Sequence, residues 1–175
     1  MYNEVEGNLL TQAEEGKFDV IIQGNNCMNV QGAGLAPQFV KAFGTDKFKM
    51  EHSEYKGDIN KLGTIDFQKK YFEQRDENIY KWTSYPMWEV SYVFVVNCYT
   101  QFNYGSNHAD GDAKPVDYDA IKMVMRKLNH KFKGLRIGMP KIGAGLAGGD
   151  WNKIKAIIQK EIVDCDVTVV IYKSN

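Results

Sequence analysis

Short apolar runs, each too brief for a helix, alternate along this chain with longer stretches of helical period. Phe18–Gln23 (FDVIIQ) lies between Gly16 and Gly24 and reads as a buried parallel strand. Leu35–Phe43 has helical spacing and stops at Gly44, a residue suited to a helix C-cap. Val90–Tyr99 (VSYVFVVNCY) reads as the central strand. Over Asp117–Phe132 a helical period puts Tyr118, Ile121, Val124, Met125 and Leu128 on one face. Leu135–Met139 follows as a strand. Trp151–Val163 carries Ile154, Ile157, Ile158 and Ile162 on one stripe, and Val167–Tyr172 closes the sheet. Such alternation predicts an α/β fold, with a mostly parallel central sheet and helices on both faces. Ligands on sheets of this kind sit beyond the C-terminal strand ends. Function is therefore expected in the loops after Gln23, Cys98 and Met139.

Other parts of the chain fit this frame less tightly. A short opening strand is expected before a helix over Leu9–Glu15. Thr45–Gly63 is polar and glycine-punctuated, and reads as a surface excursion. Gly63–Phe72 and Asn78–Tyr85 alternate like strands and are expected to pair as a hairpin around Gln74–Glu77. Tyr104–Val116 reads as loop. No internal repeat and no low-complexity linker interrupts the 175 residues, a length that suits one domain with a sizeable core.

Charge narrows the partners. Lys+Arg and Asp+Glu are both 22, so the formal net charge is zero. Binding to nucleic acid by phosphate neutralisation wants a basic surface and is not expected. The opening MYNEVEGNLL lacks the pattern of a signal peptide, and no apolar run approaches the length of a membrane span. Cys27, Cys98 and Cys165 are odd in number, widely spaced and without a CxxC pair, which suits reduced thiols in a cytoplasm. Cys27 and Cys98 read as packing thiols at the ends of strands. No metal-ligand cluster is visible, so neither metal nor cofactor is expected. We expect a monomer.

Three loops hold the candidate chemistry. Gly24–Ala36 (GNNCMNVQGAGLA) joins a strand to a helix, and Gly32 and Gly34 let a ligand approach the backbone. The N–H groups at the helix start can face an anion, while Asn25, Asn26 and Asn29 suit sugar hydroxyls. A tight turn rich in asparagine would read the same way. Pro140–Trp151 (PKIGAGLAGGDW) places Gly143, Gly145, Gly148 and Gly149 between a strand and a helix. Small residues in a turn can form a nest of inward N–H groups that cradles phosphate. The loop lacks the GK[ST] ending of a P-loop, and the first strand–helix unit lacks GxGxxG, so NAD is not expected. Two such loops on neighbouring strands, with few cations, point to a diphosphate with attached sugars. Thr100–Gly105 (TQFNYG) adds polar groups at a strand end, or is only a capped strand with a surface turn.

These segments resemble the macrodomain family. VEGNLL is similar to its opening strand and turn. VIIQGNNCMNVQGAGLAPQF is similar to its first binding loop and helix, and NCYTQFNYG…VDYDAI to the strand, loop and helix that follow. MPKIGAGLAGGDW is close to the phosphate loop of the branch known as ADP-ribose 1″-phosphate phosphatases. The likeness covers both ends of the chain and thins over about residues 45–90. It implies one macrodomain over residues 1–175, with 45–90 as a loop and hairpin excursion. It also implies binding of ADP-ribose and hydrolysis of ADP-ribose 1″-phosphate to ADP-ribose and phosphate. A module that binds without turnover, or a hydrolase acting on ADP-ribosylated macromolecules, would share these motifs.

The resemblance assigns roles residue by residue. Asn8 stands where the family usually has the aspartate that reads the adenine amino group, with Leu9 beside it. Asn26 matches the asparagine near the distal ribose. Gly32, Ala33, Gly34, Leu35 and Ala36 would line the distal ribose and diphosphate, with Thr100 and Gln101 nearby. Gly143, Ala144, Gly145, Leu146, Ala147 and Gly148 would wrap the diphosphate and terminal sugar. Tyr172 either faces adenine or is an ordinary edge aromatic. Catalysis falls to Asn26 and Asp150, although Asp150 also sits at an ideal helix N-cap. A related deacylase branch uses a lysine after the central strand and an aspartate after G-x-G-L. Those places hold Gln101 or Phe102, and Ala147, so a lysine-linked mechanism is not expected. Of the histidines, His52 lies in the polar excursion, His130 near a helix end, and His108 in the loop after TQFNYG.

Overall fold

The computed structural model describes residues 1–48, 55–76, 79–83, 91–105 and 115–172. In chain order the elements are β1 (Tyr2–Glu6), α1 (Leu9–Glu14), β2 (Val20–Asn26) and α2 (Ala36–Phe43). Two 3-10 turns, Thr45–Lys47 and Ile59–Lys61, precede β3 (Ile65–Asp76), β4 (Ile79–Thr83) and β5 (Tyr92–Gln101). The chain continues through α3 (Tyr118–Lys131), β6 (Arg136–Met139), α4 (Trp151–Glu161) and β7 (Asp166–Ile171).

The strands form one seven-stranded sheet in the order β1-β7-β6-β2-β5-β3-β4. The pairs from β1 to β5 are parallel, and β3 adds antiparallel to β5 and to β4. Successive strand residues point to opposite faces, so each strand feeds two cores. On one face Val20, Ile22, Val96 and Ile137 pack against Ile121, Leu128, Ile154 and Ile158 of α3 and α4. On the other, Ile21, Val93, Val95 and Val170 pack against Leu9, Ala13, Phe39 and Phe43 of α1 and α2. Each fully buried aliphatic side chain contributes about 1.5–3 kcal/mol.

Local signals set the helix ends. Asn8 caps α1 by accepting from the N–H groups of Leu10 and Thr11. Asp117 caps α3 through Ala120 N–H, and α2 ends at Gly44 in the left-handed region at φ 68°. No described helix is long and apolar enough to cross a membrane.

Several expectations shift. The strand expected to stop at Gln23 continues to Asn26, because β5 keeps pairing with it: Gly24 faces Cys98, Asn25 faces Tyr99, and a bulge then brings Asn26 opposite Gln101. The central strand begins at Tyr92 and runs through Gln101, later than expected; Val90 lies outside the described residues. The hairpin forms, with Tyr71 opposite Thr83 and Asp76 opposite Ile79, while residues 77, 78 and 84–90 lie outside the described residues. The segment 45–63 is not merely a surface excursion. Thr45, Phe48 and Lys61 are buried, and the Lys61 ammonium donates to the Tyr55 carbonyl. Thr45 can go inside because Gln23 and Gln31 meet it there, which a hydropathy pattern does not reveal. His52 and His108 lie outside the described residues, and His130 is exposed in the last turn of α3.

Candidate functional site

β2 and β6 are neighbours, and the loop that follows each stands at the same end of the sheet. Between these loops lies a crevice of about 610 Å³. A smaller cavity of about 390 Å³ adjoins it, and the two share Gly34, Leu35, Pro140 and Lys141 as a common lip.

The first loop is held by side-chain amides. Asn26 Nδ2 donates to the Val30 carbonyl at 2.8 Å, and Val30 N–H donates back to Asn26 Oδ1 at 3.0 Å. Asn29 takes a left-handed φ of 53° and donates through Nδ2 to the Asp46 carbonyl. Beneath them Gln23 Nε2 reaches Gln31 Oε1, Thr45 Oγ1 and Asn97 Oδ1 at 2.8–3.1 Å. Thr45 Oγ1 in turn donates to Gln31 Oε1, and Asn97 Nδ2 to the Thr45 carbonyl. This network ties the loop to the 3-10 turn Thr45–Lys47 and to β5 before any ligand arrives.

The second loop is held by its own backbone. Ile142 N–H donates to the Pro140 carbonyl, Gly148 to Gly145, and Gly149 to Gly143. A Cβ at Gly149 would sit 2.6 Å from the Gly143 carbonyl oxygen, so the turn closes only around glycine. A Cβ at Gly145 would meet nothing within 4 Å. Gly145 therefore leaves room rather than permitting the fold. Among the described residues, the N–H groups of Gly143, Gly145, Leu146 and Ala147 have no backbone acceptor. The same holds for Gly32, Ala33, Gly34, Leu35 and Ala36 on the opposite wall. The crevice is thus flanked by two rows of uncommitted donors, with the start of α2 behind one of them.

Most of the expected residues meet here. Asn26, Gly32, Ala33, Ala36, Thr100 and Gln101 line the larger cavity, as do Gly143, Gly145, Leu146 and Ala147. Gly34 and Leu35 line both cavities. Asn8, Leu9 and Tyr172 line the smaller one, with Val170 and Gln38. Asn8 Oδ1 already accepts two N–H bonds as the cap of α1, so its Nδ2 is the group left to face a ligand.

Three expected residues line neither cavity. Ala144 packs toward the α3/α4 core, and Gly148 turns the chain at φ 68°. Asp150 caps α4 by accepting from Asn152 N–H at 2.9 Å, while its own N–H donates to the Tyr118 hydroxyl.

Further residues line the cavities; Asn25 was expected to suit sugar hydroxyls, whereas Lys141 and Gln23 were not anticipated. Lys141 sits on the shared lip and is the cation among the described lining residues of both cavities. Its place in PKIG was visible, but not that the strand end would set it on a lip shared by two cavities, with its ammonium 5.6 Å from the centre of the Trp151 ring. Gln23 and Asn25 also line the larger cavity, because β2 carries on past Gln23. Tyr104 joins them and is half-exposed at the mouth.

The lining bears on chemistry. Among the described residues, no carboxylate, imidazole or thiol lines either cavity. Burial pushes the Cys27 thiol up to about 11, and burial also raises Cys98 and Cys165, so all three are protonated at neutral pH. Among the described residues, no group of three His, Cys, Asp or Glu converges as a metal site would require. The arrangement suits an anion held by backbone N–H groups and one ammonium, with polar and apolar compartments on either side.

No protein-family model matches the chain. It is 30% identical over 174 residues to an uncharacterized 17.5 kDa protein in the tk-vs intergenic region of Enterobacteria phage T4, which covers 95% of this chain and 93% of that one. Among solved structures it is similar to the macrodomain of Thermus aquaticus DarG, with a TM-score of 0.57, 21% identity and 99% of each chain covered. It is also similar to Thermosipho africanus DarTG, solved in complex with ADP-ribose, with a TM-score of 0.62, 15% identity, and 97% of this chain and 41% of that one covered. Identities this low speak for the fold alone. The chain therefore belongs to the family of the phage T4 protein and carries the macrodomain fold.

Proposed function

We propose that this protein binds ADP-ribose across the two joined cavities and hydrolyses ADP-ribose 1″-phosphate. The observation that carries the reading is the pair of cavities joined at one lip, with uncommitted N–H groups on both walls of the larger one. A dinucleotide-like ligand has the same plan: a flat base, a diphosphate and a terminal sugar. The base would take the smaller cavity, between Leu35 and Tyr172, with Asn8 Nδ2 within the lining. The diphosphate would lie between Gly32–Ala36 and Gly143–Ala147, near Lys141. The terminal ribose would reach the floor formed by β2 and the end of β5.

In the catalytic form of this reading, water displaces phosphate from the anomeric position of ADP-ribose 1″-phosphate, leaving ADP-ribose and inorganic phosphate. Loop N–H groups would stabilise the developing charge, and oxocarbenium character at the sugar would ease departure. A second reading, binding without turnover, is favoured by the absence of a carboxylate, imidazole or thiol among the described lining residues.

Calorimetry with ADP-ribose and AMP tests the shared part. ADP-ribose should bind far more tightly, because AMP fills only one compartment. Equal affinities would remove the two-loop reading. Phosphate release from ADP-ribose 1″-phosphate then separates the two forms: turnover supports the phosphatase, and tight binding without release supports the module.

A further inference from the structure

The smaller cavity, about 390 Å³, has room for a two-ring base between Leu35 and Tyr172. Two carboxamides line it, Asn8 and Gln38. Gln38 is exposed, and its side chain makes no hydrogen bond among the described residues, so it can turn either amide atom inward. Asn8 has no such freedom. Its Oδ1 accepts from the N–H groups of Leu10 at 2.9 Å and Thr11 at 3.2 Å. These bonds fill the lone pairs of the oxygen and fix which way round the amide stands, since a reversed amide would set Nδ2 against two N–H donors. Nδ2 is therefore the atom that Asn8 offers to the cavity. It has no hydrogen-bond partner among the described residues, and it is open to solvent rather than sealed in the core.

An asparagine reads adenine with both amide atoms: the oxygen accepts from the 6-amino group while the nitrogen donates to N7. Here the oxygen is spent on α1. A 6-amino group brought to Nδ2 would set donor against donor. A 6-oxopurine presents two acceptors on the same edge, O6 and N7, and these match the two N–H groups of Nδ2. The sequence likeness gives Asn8 the adenine amino group, but the helix cap turns the opposite polarity toward the base. We propose that the base compartment selects a 6-oxopurine over adenine, with Asn8 as the specificity-determining residue, so that the preferred ligand is inosine or guanosine diphosphate ribose. This inference rests on the two-cavity reading. It keeps the diphosphate and terminal ribose of that reading and changes only the base.

Calorimetry compares ADP-ribose with inosine diphosphate ribose, which differs from it only at the base edge, on wild type, Asn8→Asp and Asn8→Ser. Wild type should bind inosine diphosphate ribose about tenfold more tightly, a difference of about 1.4 kcal/mol. Aspartate caps a helix about as well as asparagine, so Asn8→Asp should keep its melting temperature, and its second oxygen should reverse the preference. Asn8→Ser keeps a cap but offers the base no amide, and its two affinities should be nearly equal. A wild-type protein that prefers ADP-ribose overturns the proposal. So does a preference for inosine diphosphate ribose that Asn8→Asp leaves unchanged, since another group then reads the base. A wild-type protein that binds neither nucleotide brings down the two-cavity reading and this inference with it. Equal wild-type affinities for the two bring down the base selectivity alone.

Discussion

The loop at residues 27–35 is fixed by side-chain amides, and the loop at 140–149 by glycine backbone. In the first, Asn26, Gln31 and Gln23 bond to one another's surroundings and to Thr45 and Asn97, so the loop shares its stability with the 3-10 turn Thr45–Lys47 and β5. In the second, the bonds run between near neighbours, and different glycines do different things. Gly149 closes the turn, whereas Gly145 faces open space. A loop held by a network couples binding to folding. A loop held by local turns lets the two be altered separately.

That contrast is sharpest at Gly145. Gly145→Glu should fold, since nothing lies within 4 Å of its Cβ. Its carboxylate would enter the space proposed for the diphosphate, and ADP-ribose affinity should fall about a hundredfold or more, roughly 3 kcal/mol. Gly149→Ala should do the reverse and lower the melting temperature through the clash with Gly143. A folded Gly145→Glu variant that keeps its affinity would show that this loop does not hold the anion.

Gln23 tests the other side of the comparison. Gln23→Leu fits the strand but leaves Gln31, Thr45 and Asn97 short of a buried partner. Chemical unfolding should report a loss of about 2 kcal/mol, and ligand affinity should fall with it. Unchanged stability would mean that the network does not hold the first loop.

Both loops hang on β2 and β6, and Asp19 and Arg136 join those strands at their opposite ends. Asp19 accepts from the Arg136 guanidinium at 2.7 and 3.0 Å and from the Arg136 N–H at 2.9 Å. The hydrogen bond to the Arg136 side chain holds the Asp19 carboxyl below its ordinary range. A folded-state value below the unfolded one contributes stability above the unfolded value and loses it as pH falls through the folded value. Stability should therefore begin to fall below about pH 4. Asp19→Asn should flatten that decline and cost about 0.5–1 kcal/mol at neutral pH, since the pair is partly exposed and screened. Acid melts of the two proteins that superimpose would count against the bridge.

The smallest effect is expected at Asp150, the side-chain cap at the end of the backbone-held loop. Asn caps helices about as well as Asp, so Asp150→Asn should change stability by only about a few tenths of a kcal/mol. Because Asp150 lines neither cavity, any turnover of ADP-ribose 1″-phosphate should survive. A large loss of phosphate release at a normal melting temperature would instead make Asp150 part of the chemistry.

Local patterns alone specified much of this protein. The strands and helices, the stop at Gly44, the caps at Asp117 and Asp150, and the two glycine-rich loops all depend on neighbours a few residues away, and hydrophobic period and turn chemistry are local properties. Tertiary structure decided matters that depend on distant partners. It carried β2 three residues past Gln23, because β5 was there to pair with it. It buried Thr45 in a stretch that reads as surface, because the buried Gln31 amide awaited it, and it buried Lys61 with its ammonium on the Tyr55 carbonyl. It set Lys141 on the lip between two cavities that neither loop forms alone. Above all it separated two adjacent asparagines of identical chemistry: Asn26 is spent on Val30, while Asn25 is buried with both amide atoms unpaired. Spacing along a chain cannot tell such neighbours apart, because a hydrogen bond depends on where the partner stands after folding, and the bulge between these two residues turns them to different surroundings.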